Sequence, residues 1–178
     1  MKLTLLLRDF AKARAGLAAL EFAILLPMMV LLLFGSVDLI DALGSNRRAE
    51  NVAASLADVV ARDTEVTDDE MTGLWAAIGV LMVPDDPNDV KARITSVEIE
   101  SATTARIVWS EGHGMSGLTA GAVIDLPDAM MIAGTSVIFA ETELHYESPL
   151  GILFTGAVDL NHEAYRRSRL IDPIPRVS

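Results

Sequence analysis

The pattern that dominates the chain is a long apolar run near its beginning. Residues 17–37 contain a single ionisable side chain, Glu21. An α-helix rises about 1.5 Å per residue, so a helix over this run spans about 30 Å, the thickness of the hydrocarbon core of a bilayer. Pro27 lies inside the run, and membrane helices tolerate a proline with a kink. We therefore predict a transmembrane helix over residues 17–40.

Helical periodicity continues beyond this run. No proline occurs between Asp38 and Arg62, and apolar side chains recur there mostly every three or four residues: Leu39, Leu43, Val52, Leu56, Val59 and Val60. This stripe is typical of an amphipathic helix that packs on a partner, either its own domain or neighbouring subunits. We expect one helix to continue from the membrane into the exterior domain, with a hinge at Gly44 as the alternative.

A second helix follows. Thr67 and Glu70 have the spacing of a capping box, in which each side chain binds a free amide of the other residue. The helix is predicted to extend to about Met82. The proline- and aspartate-rich residues 84–89 then break it, and we interpret them as a solvated turn.

From Val90 onward the apolar period changes to two. Alternation on both sides of residues 101–104 predicts a β-hairpin, with these apolar positions: Ala92, Ile94, Val97, Ile99, Ala105, Ile107 and Trp109. Residues 134–146 are predicted to form the longest strand, in a central position. Residues 150–160 are either a strand or a short helix, and residues 164–169 a cap. Strands after helices indicate an α+β fold, with helices on one face of an antiparallel sheet.

Charge is distributed unevenly about Gly16. The first 16 residues hold four basic side chains and one acidic one, a net charge of +3, and the rest of the chain carries −14. Because basic residues beside a span stay cytoplasmic, we expect a cytoplasmic N-terminus and an exterior α+β domain over residues 41–178. The acidic balance of that domain argues against nucleic-acid binding.

A cleaved secretory signal is the alternative to a retained span. Such signals have a shorter apolar core, roughly 7 to 15 residues, and end at a small-residue site. The run here is longer and no A-x-A-like triplet closes it, although Gly35 and Ser36 offer an alternative cleavage region. Cleavage there would release a secreted enzyme with a mature start near residues 36–45.

Residue types that catalyse reactions or bind metals do not form a complete motif in the sequence. The chain has no cysteine, its three histidines lack the i, i+4 spacing of a metal-binding helix, and residues 84–89 lack the glycine and closing glutamate of an EF-hand loop. Ser116 has only part of a nucleophile elbow, and the glycine-rich residues 112–121 lack the lysine of a phosphate-binding loop. We predict a protein that is not an enzyme and has neither a cofactor nor a metal site.

Glu21 has two interpretations. A carboxylate costs about 2.5 to 3.5 kcal/mol at the centre of a membrane helix, and Glu21 lies near the cytoplasmic end, from which it can reach headgroup water. Alternatively, an amine from a neighbouring chain holds it. A free amine at Leu17 would require cleavage after Gly16.

Residues 14–27, Arg-Ala-Gly-Leu-Ala-Ala-Leu-Glu-Phe-Ala-Ile-Leu-Leu-Pro, resemble the N-terminal signature of TadE-like and TadG-like pseudopilins of tight-adherence (Flp) pilus systems. In type IV pilin-like proteins a prepilin peptidase cuts after a glycine that follows a basic leader, and a glutamate at the fifth mature position assists assembly. Gly16 and Glu21 match these positions. Two further features are similar to the family: a Gly-x-x-Asp pattern at Gly35 and Asp38, and the late segment 165–167. The chain length fits the TadE-like class best.

The resemblance implies a minor pilin or pseudopilin in the bacterial inner membrane, with residues 1–16 as leader and a periplasmic C-terminal domain. It assigns Gly16 and Leu17 to the processing site, and Glu21, Phe22 and Pro27 to assembly. The implied partners are the inner membrane, other pilin or pseudopilin subunits, pilus assembly proteins and prepilin peptidase. The alternative function is a permanently membrane-anchored periplasmic binding module with no filament role.

Overall fold

The computed structural model describes residues 14–177, with side chains from residue 16. Most of the predicted leader lies outside the described residues. Two helices are followed by five strands: α1 (Arg14–Val60), α2 (Asp68–Leu81), β1 (Val90–Ser101), β2 (Thr104–His113), β3 (Val123–Ile124), β4 (Ser136–Tyr146) and β5 (Val158–Arg167). The strands form one antiparallel sheet in the order β3-β2-β1-β4-β5. The predicted α+β fold is confirmed.

Helix α1 is continuous over 47 residues, a length of about 70 Å at 1.5 Å per residue. It contains Pro27 and passes through Gly44 without interruption, so the predicted continuation into the domain is confirmed and the hinge is absent. The first half of the helix is exposed, whereas one side of its second half packs against β4 and β5.

The buried side of α1 differs from the predicted stripe. Val52, Leu56 and Val60 enter the main core, but Leu39, Leu43 and Val59 are exposed. Small side chains complete the buried side and allow the helix to approach the sheet closely: Ala49, Ala53, Ala57 and Ala61. The interpretation that this part of α1 packs on its own domain is therefore confirmed for three of the six predicted positions.

Helix α2 begins with the predicted capping box. The Glu70 amide donates to Thr67 Oγ1 at 3.3 Å, and the Thr67 amide donates to Glu70 Oε2 at 2.7 Å. The helix buries Met71, Leu74 and Ile78 against the same core. The local signal in the sequence thus predicted the start of the helix correctly.

The sheet confirms the predicted hairpin of β1 and β2 and the interior place of β4. The longest and central strand is β1, with 12 residues against 11 in β4, so that part of the prediction was wrong. The predicted cap at residues 164–169 was also wrong, because residues up to Arg167 pair with β4 in strand β5. The prediction of a strand or a short helix over residues 150–160 was wrong for residues 150–157, which form the loop that precedes β5; this strand begins at Val158.

A register shift in β1 and β2 separates the apolar positions of the hairpin. The shift lies between Ser96 and Val97, and it directs Ala105 and Trp109 into different clusters on opposite faces of the sheet. Trp109 therefore joins the core between the sheet and the helices, where its indole N–H donates to the Ile174 carbonyl at 2.8 Å. A bulge of this kind re-aims a side chain and is not visible in the periodicity.

Candidate functional site: the apolar helix and its junction with the domain

The predicted site residues all lie in the first half of α1. Gly16, Leu17, Glu21, Phe22 and Pro27 are exposed there. This helix is long and apolar enough to cross a membrane, and residues 16–34 of it are exposed throughout. One apolar N-terminal helix of this kind fits a single-pass membrane anchor.

At the end of the apolar run, two residues of α1 contact the loop between β4 and β5. Gly35 is buried, and a Cβ built at this position would lie 3.4 Å from Cγ of Leu153. Asp38, one turn further along the helix, is 1% exposed. The Gly-x-x-Asp pattern therefore describes one face of the helix, a small residue that admits the loop and an acid that binds it.

Asp38 is the acceptor for three donors of this loop. The Ser148 hydroxyl donates to Oδ1 at 2.6 Å, and the amides of Ile152 and Leu153 donate to Oδ2 at 2.7 and 2.9 Å. Gly151 has φ +64°, which an L side chain rarely adopts, and its amide donates to the Ser148 hydroxyl at 3.3 Å. The carboxylate thus determines the conformation of the loop. Its partners are 110 or more residues away in sequence, so the sequence pattern alone could not assign this role.

Tyr146 makes the next contact along the helix. Its hydroxyl donates to Asp41 Oδ2 at 3.0 Å. Burial raises the pKa of Tyr146, and the hydrogen bond to Asp41 adds to that rise. The tyrosine ring also meets Phe154 edge-on, with the ring centroids 6.2 Å apart. One side chain of β4 therefore connects α1 with the apolar part of the loop.

A partly buried ion pair holds α1 about two turns beyond Asp41. Arg48 Nε and Nη2 donate to the two carboxylate oxygens of Asp85, each at 2.8 Å. The buried Ser45 hydroxyl donates to the same carboxylate at 3.1 Å. The hydrogen bond with Asp85 raises the pKa of Arg48. Asp85 belongs to the predicted solvated turn, and that interpretation was wrong for this residue, because the turn folds back onto α1.

These contacts and a hydrogen bond from Thr142 Oγ1 to the Ala49 carbonyl at 3.0 Å follow one another along α1. They join the helix between residues 35 and 49 to three separate segments of the domain. The exposed half of α1 therefore continues directly from a part of the helix that the domain holds at several points.

Two of the three histidines contact another side chain, whereas Nε2 of His162 is buried without a hydrogen-bond partner among the described residues. His113 stacks on Trp75 with ring centroids 5.5 Å apart, and His145 binds Asp159 at 2.7 Å. Gly112 and Gly117 allow the loop after β2 to turn back onto it, since a Cβ at Gly112 would meet the Met115 carbonyl at 2.0 Å. Within residues 14–177, no group of three or more acidic or histidine side chains could hold a metal ion.

Comparison with known proteins gives one finding that bears on this site. Residues 16–58 match the family model of the TadE-like protein. The matched segment begins at the predicted processing glycine, contains Gly35 and Asp38, and ends in the part of α1 that packs on the sheet. No curated protein and no solved structure matches the chain. The resemblance to TadE-like proteins is confirmed over this segment, and the family is a structural, pilus-associated one.

Proposed function

We propose, from the TadE-like match of residues 16–58, that this protein is a minor pilin or pseudopilin of a tight-adherence (Flp, type IV-like) pilus or secretion system. The observation that carries this proposal is the exposed apolar half of α1, nearly all of which lies within the matched segment and which continues into a folded domain. The role is structural, and the protein acts through its contacts with other subunits.

The proposed location is the bacterial inner membrane, crossed once. The net charge of +3 over the first 16 residues supports a cytoplasmic N-terminus, and residues 41–178 then form the periplasmic domain. Retention of the span is supported by the burial of Gly35 and Asp38, because both residues of the span contact the domain. Cleavage by a secretory signal peptidase near Gly35 would remove part of this contact.

The proposed assembly step begins with cleavage by prepilin peptidase after Gly16, which makes Leu17 the new N-terminus. Its amine then pairs with Glu21 of a neighbouring subunit. A carboxylate in an apolar environment requires such a partner, since an unpaired charge is expensive there. Phe22 and the turn around Pro27 contact the apolar helices of other pilin or pseudopilin subunits and of the pilus assembly proteins.

Intact-mass spectrometry of the membrane-extracted protein tests the processing step. We expect wild-type protein to lack residues 1–16 and the Gly16→Val variant to retain them. The variant is suitable because a Cβ at Gly16 meets no atom within 4 Å, so the substitution does not disturb packing within the described chain. Full-length wild-type protein in a cell that contains the peptidase would contradict this step and would favour the anchored binding module.

Pilus assembly by a Glu21→Gln strain tests the pairing step. We expect fewer filaments although the variant still inserts in the membrane, because the amide keeps the size of the side chain and removes its charge. Glu50→Gln is the matched control, since Glu50 is an exposed glutamate further along the same helix. If the Glu21→Gln and Glu50→Gln strains form equal numbers of filaments, Glu21 has no role in assembly.

A further inference from the structure

The loop between β4 and β5 is unusual for the surface of an acidic domain. Residues 148–157, named here the junction loop, contain no charged side chain. Leu150, Ile152 and Leu153 are exposed within it. Soluble proteins rarely expose a continuous apolar patch, and such patches mark contacts with proteins or membranes.

The position of the junction loop is fixed relative to the apolar helix. Leu153 packs on Gly35, which belongs to the apolar run 17–37, and Asp38 binds the loop from the next turn. Gly35 is two residues from the end of the run, or about 3 Å along the axis. The loop is therefore held at the level where the helix leaves the hydrocarbon.

The apolar surface of the loop is continuous with that of the helix. Exposed apolar side chains of α1 occur from this level to about 12 Å beyond Gly35 along the axis: Val37, Leu39, Ile40 and Leu43. The nearest charges in sequence, Glu147 and Asp159, flank the loop on both sides. The domain thus directs an uncharged, apolar end towards the bilayer, although it carries a large negative charge overall.

We propose that the junction loop inserts Leu150 and Ile152 into the interface of the outer leaflet and forms a second lipid contact beside the transmembrane helix. The occupant is the lipid bilayer, because the patch continues the surface of the span itself and is bounded by charges. Two lipid contacts fix the tilt of the domain on the membrane. This inference rests on the membrane anchor of the proposed function.

Single-cysteine labelling tests this contact directly, because the natural chain has no cysteine. Leu150→Cys and Ile152→Cys proteins are labelled with a polarity-sensitive fluorophore and reconstituted in phosphatidylcholine vesicles. A fraction of the lipids carries a nitroxide quencher on the acyl chain. The intrinsic fluorescence of the two tryptophans, Trp109 in the core and the half-buried Trp75, verifies that each labelled protein is folded.

Two control positions make the result specific. Leu170 is an exposed leucine, 67% accessible against 45% for Leu150, and it follows Arg169, whose amide binds the Ala61 carbonyl. Ala61 lies 26 residues beyond Gly35, or about 39 Å along α1, so Leu170→Cys reports the distal end of the domain. Leu31→Cys reports the span.

We expect strong quenching at Leu31, Leu150 and Ile152 and little at Leu170. If the Leu31 label is quenched but the labels at Leu150 and Ile152 are as little quenched as that at Leu170, the inference is overturned and the membrane anchor stands. A blue-shifted but unquenched label at both loop positions would assign the loop to a protein neighbour and overturn the lipid contact. An unquenched Leu31 label would refute the anchor itself, and the inference with it.

Discussion

Replacing Leu56 by alanine tests whether α1 packs on its own domain. Leu56 is among the largest fully buried side chains, with 1% exposure, and it lies in the core between α1 and the sheet. Val59, almost one turn further along the helix, is 52% exposed. The two positions therefore separate the buried side of α1 from its free side.

The expected loss follows from the atoms removed. Leucine to alanine deletes three carbon atoms, worth about 0.8 kcal/mol each when buried, and the cavity left behind adds to this. We expect the free energy of unfolding to fall by about 3 kcal/mol. A domain of this size loses roughly 2 to 4 °C of Tm per kcal/mol, so Tm should decrease by about 9 °C.

The assay is thermal unfolding of the full chain in detergent, followed by tryptophan fluorescence, because Trp109 is buried in the same core. Val59→Ala is the control and should change the unfolding free energy by no more than about 0.5 kcal/mol, as surface substitutions do. If both variants shift Tm equally, the packing of α1 described here is wrong, and the apolar stripe serves neighbouring subunits instead.

Further variants test the cap, the bulge and the junction. Thr67→Ala should reduce the unfolding free energy by about 1 kcal/mol in urea titrations, the usual effect of a lost N-cap. The backbone amide of Thr67 lowers the pKa of Glu70. The stability that this hydrogen bond contributes is therefore present above the unfolded-state pKa of Glu70 and disappears as the pH falls through the folded-state pKa. Glu70→Gln should weaken this acid dependence of the unfolding free energy. Trp109→Phe should lose about 1 kcal/mol in the same titrations, because it removes the shorter of the two hydrogen bonds to the Ile174 carbonyl and leaves only that from the Ser96 hydroxyl at 3.3 Å. Asp38→Asn should accelerate amide exchange in residues 148–153, measured by mass spectrometry, while exchange in the rest of the domain stays unchanged.

Matched substitutions show whether these effects are specific. Thr72→Ala removes a similar hydroxyl from α2 away from its cap and should leave stability nearly unchanged. Asp41→Asn alters the neighbouring acid of α1 but leaves the backbone partners of Asp38 in place, so the junction loop should keep slow exchange. Equal exchange in the Asp38 and Asp41 variants would mean that Asp38 does not organise the loop.

The helical part of the fold could be predicted because its signals are local. Hydrophobic periodicity and the apolar run defined α1, and the Thr67–Glu70 spacing defined the start of α2. The hairpin also followed from alternation with a short turn. The buried alanines of α1 were missed, since alanine fits either face of a helix and carries little hydrophobic signal.

The junction could not be predicted, because its contacts join distant parts of the chain. Asp38 was recognised only as part of a family pattern, and its partners lie in a loop that no local signal connects with it. The sequence around Asp85 is typical of a solvent-exposed turn, and only the tertiary structure shows that its carboxylate binds Arg48. The bulge that re-aims Trp109 depends on strand pairing, which periodicity within one strand does not contain.

The row of contacts along α1 has a mechanical consequence. The contacts are arranged parallel to the helix axis, from Leu153 packed on Gly35 to the hydrogen bond that the Arg169 amide donates to the Ala61 carbonyl. An axial load on the domain therefore shears them together and does not peel them apart one by one. Tension applied to the domain is therefore transmitted to the exposed apolar half of α1 through all of these contacts together.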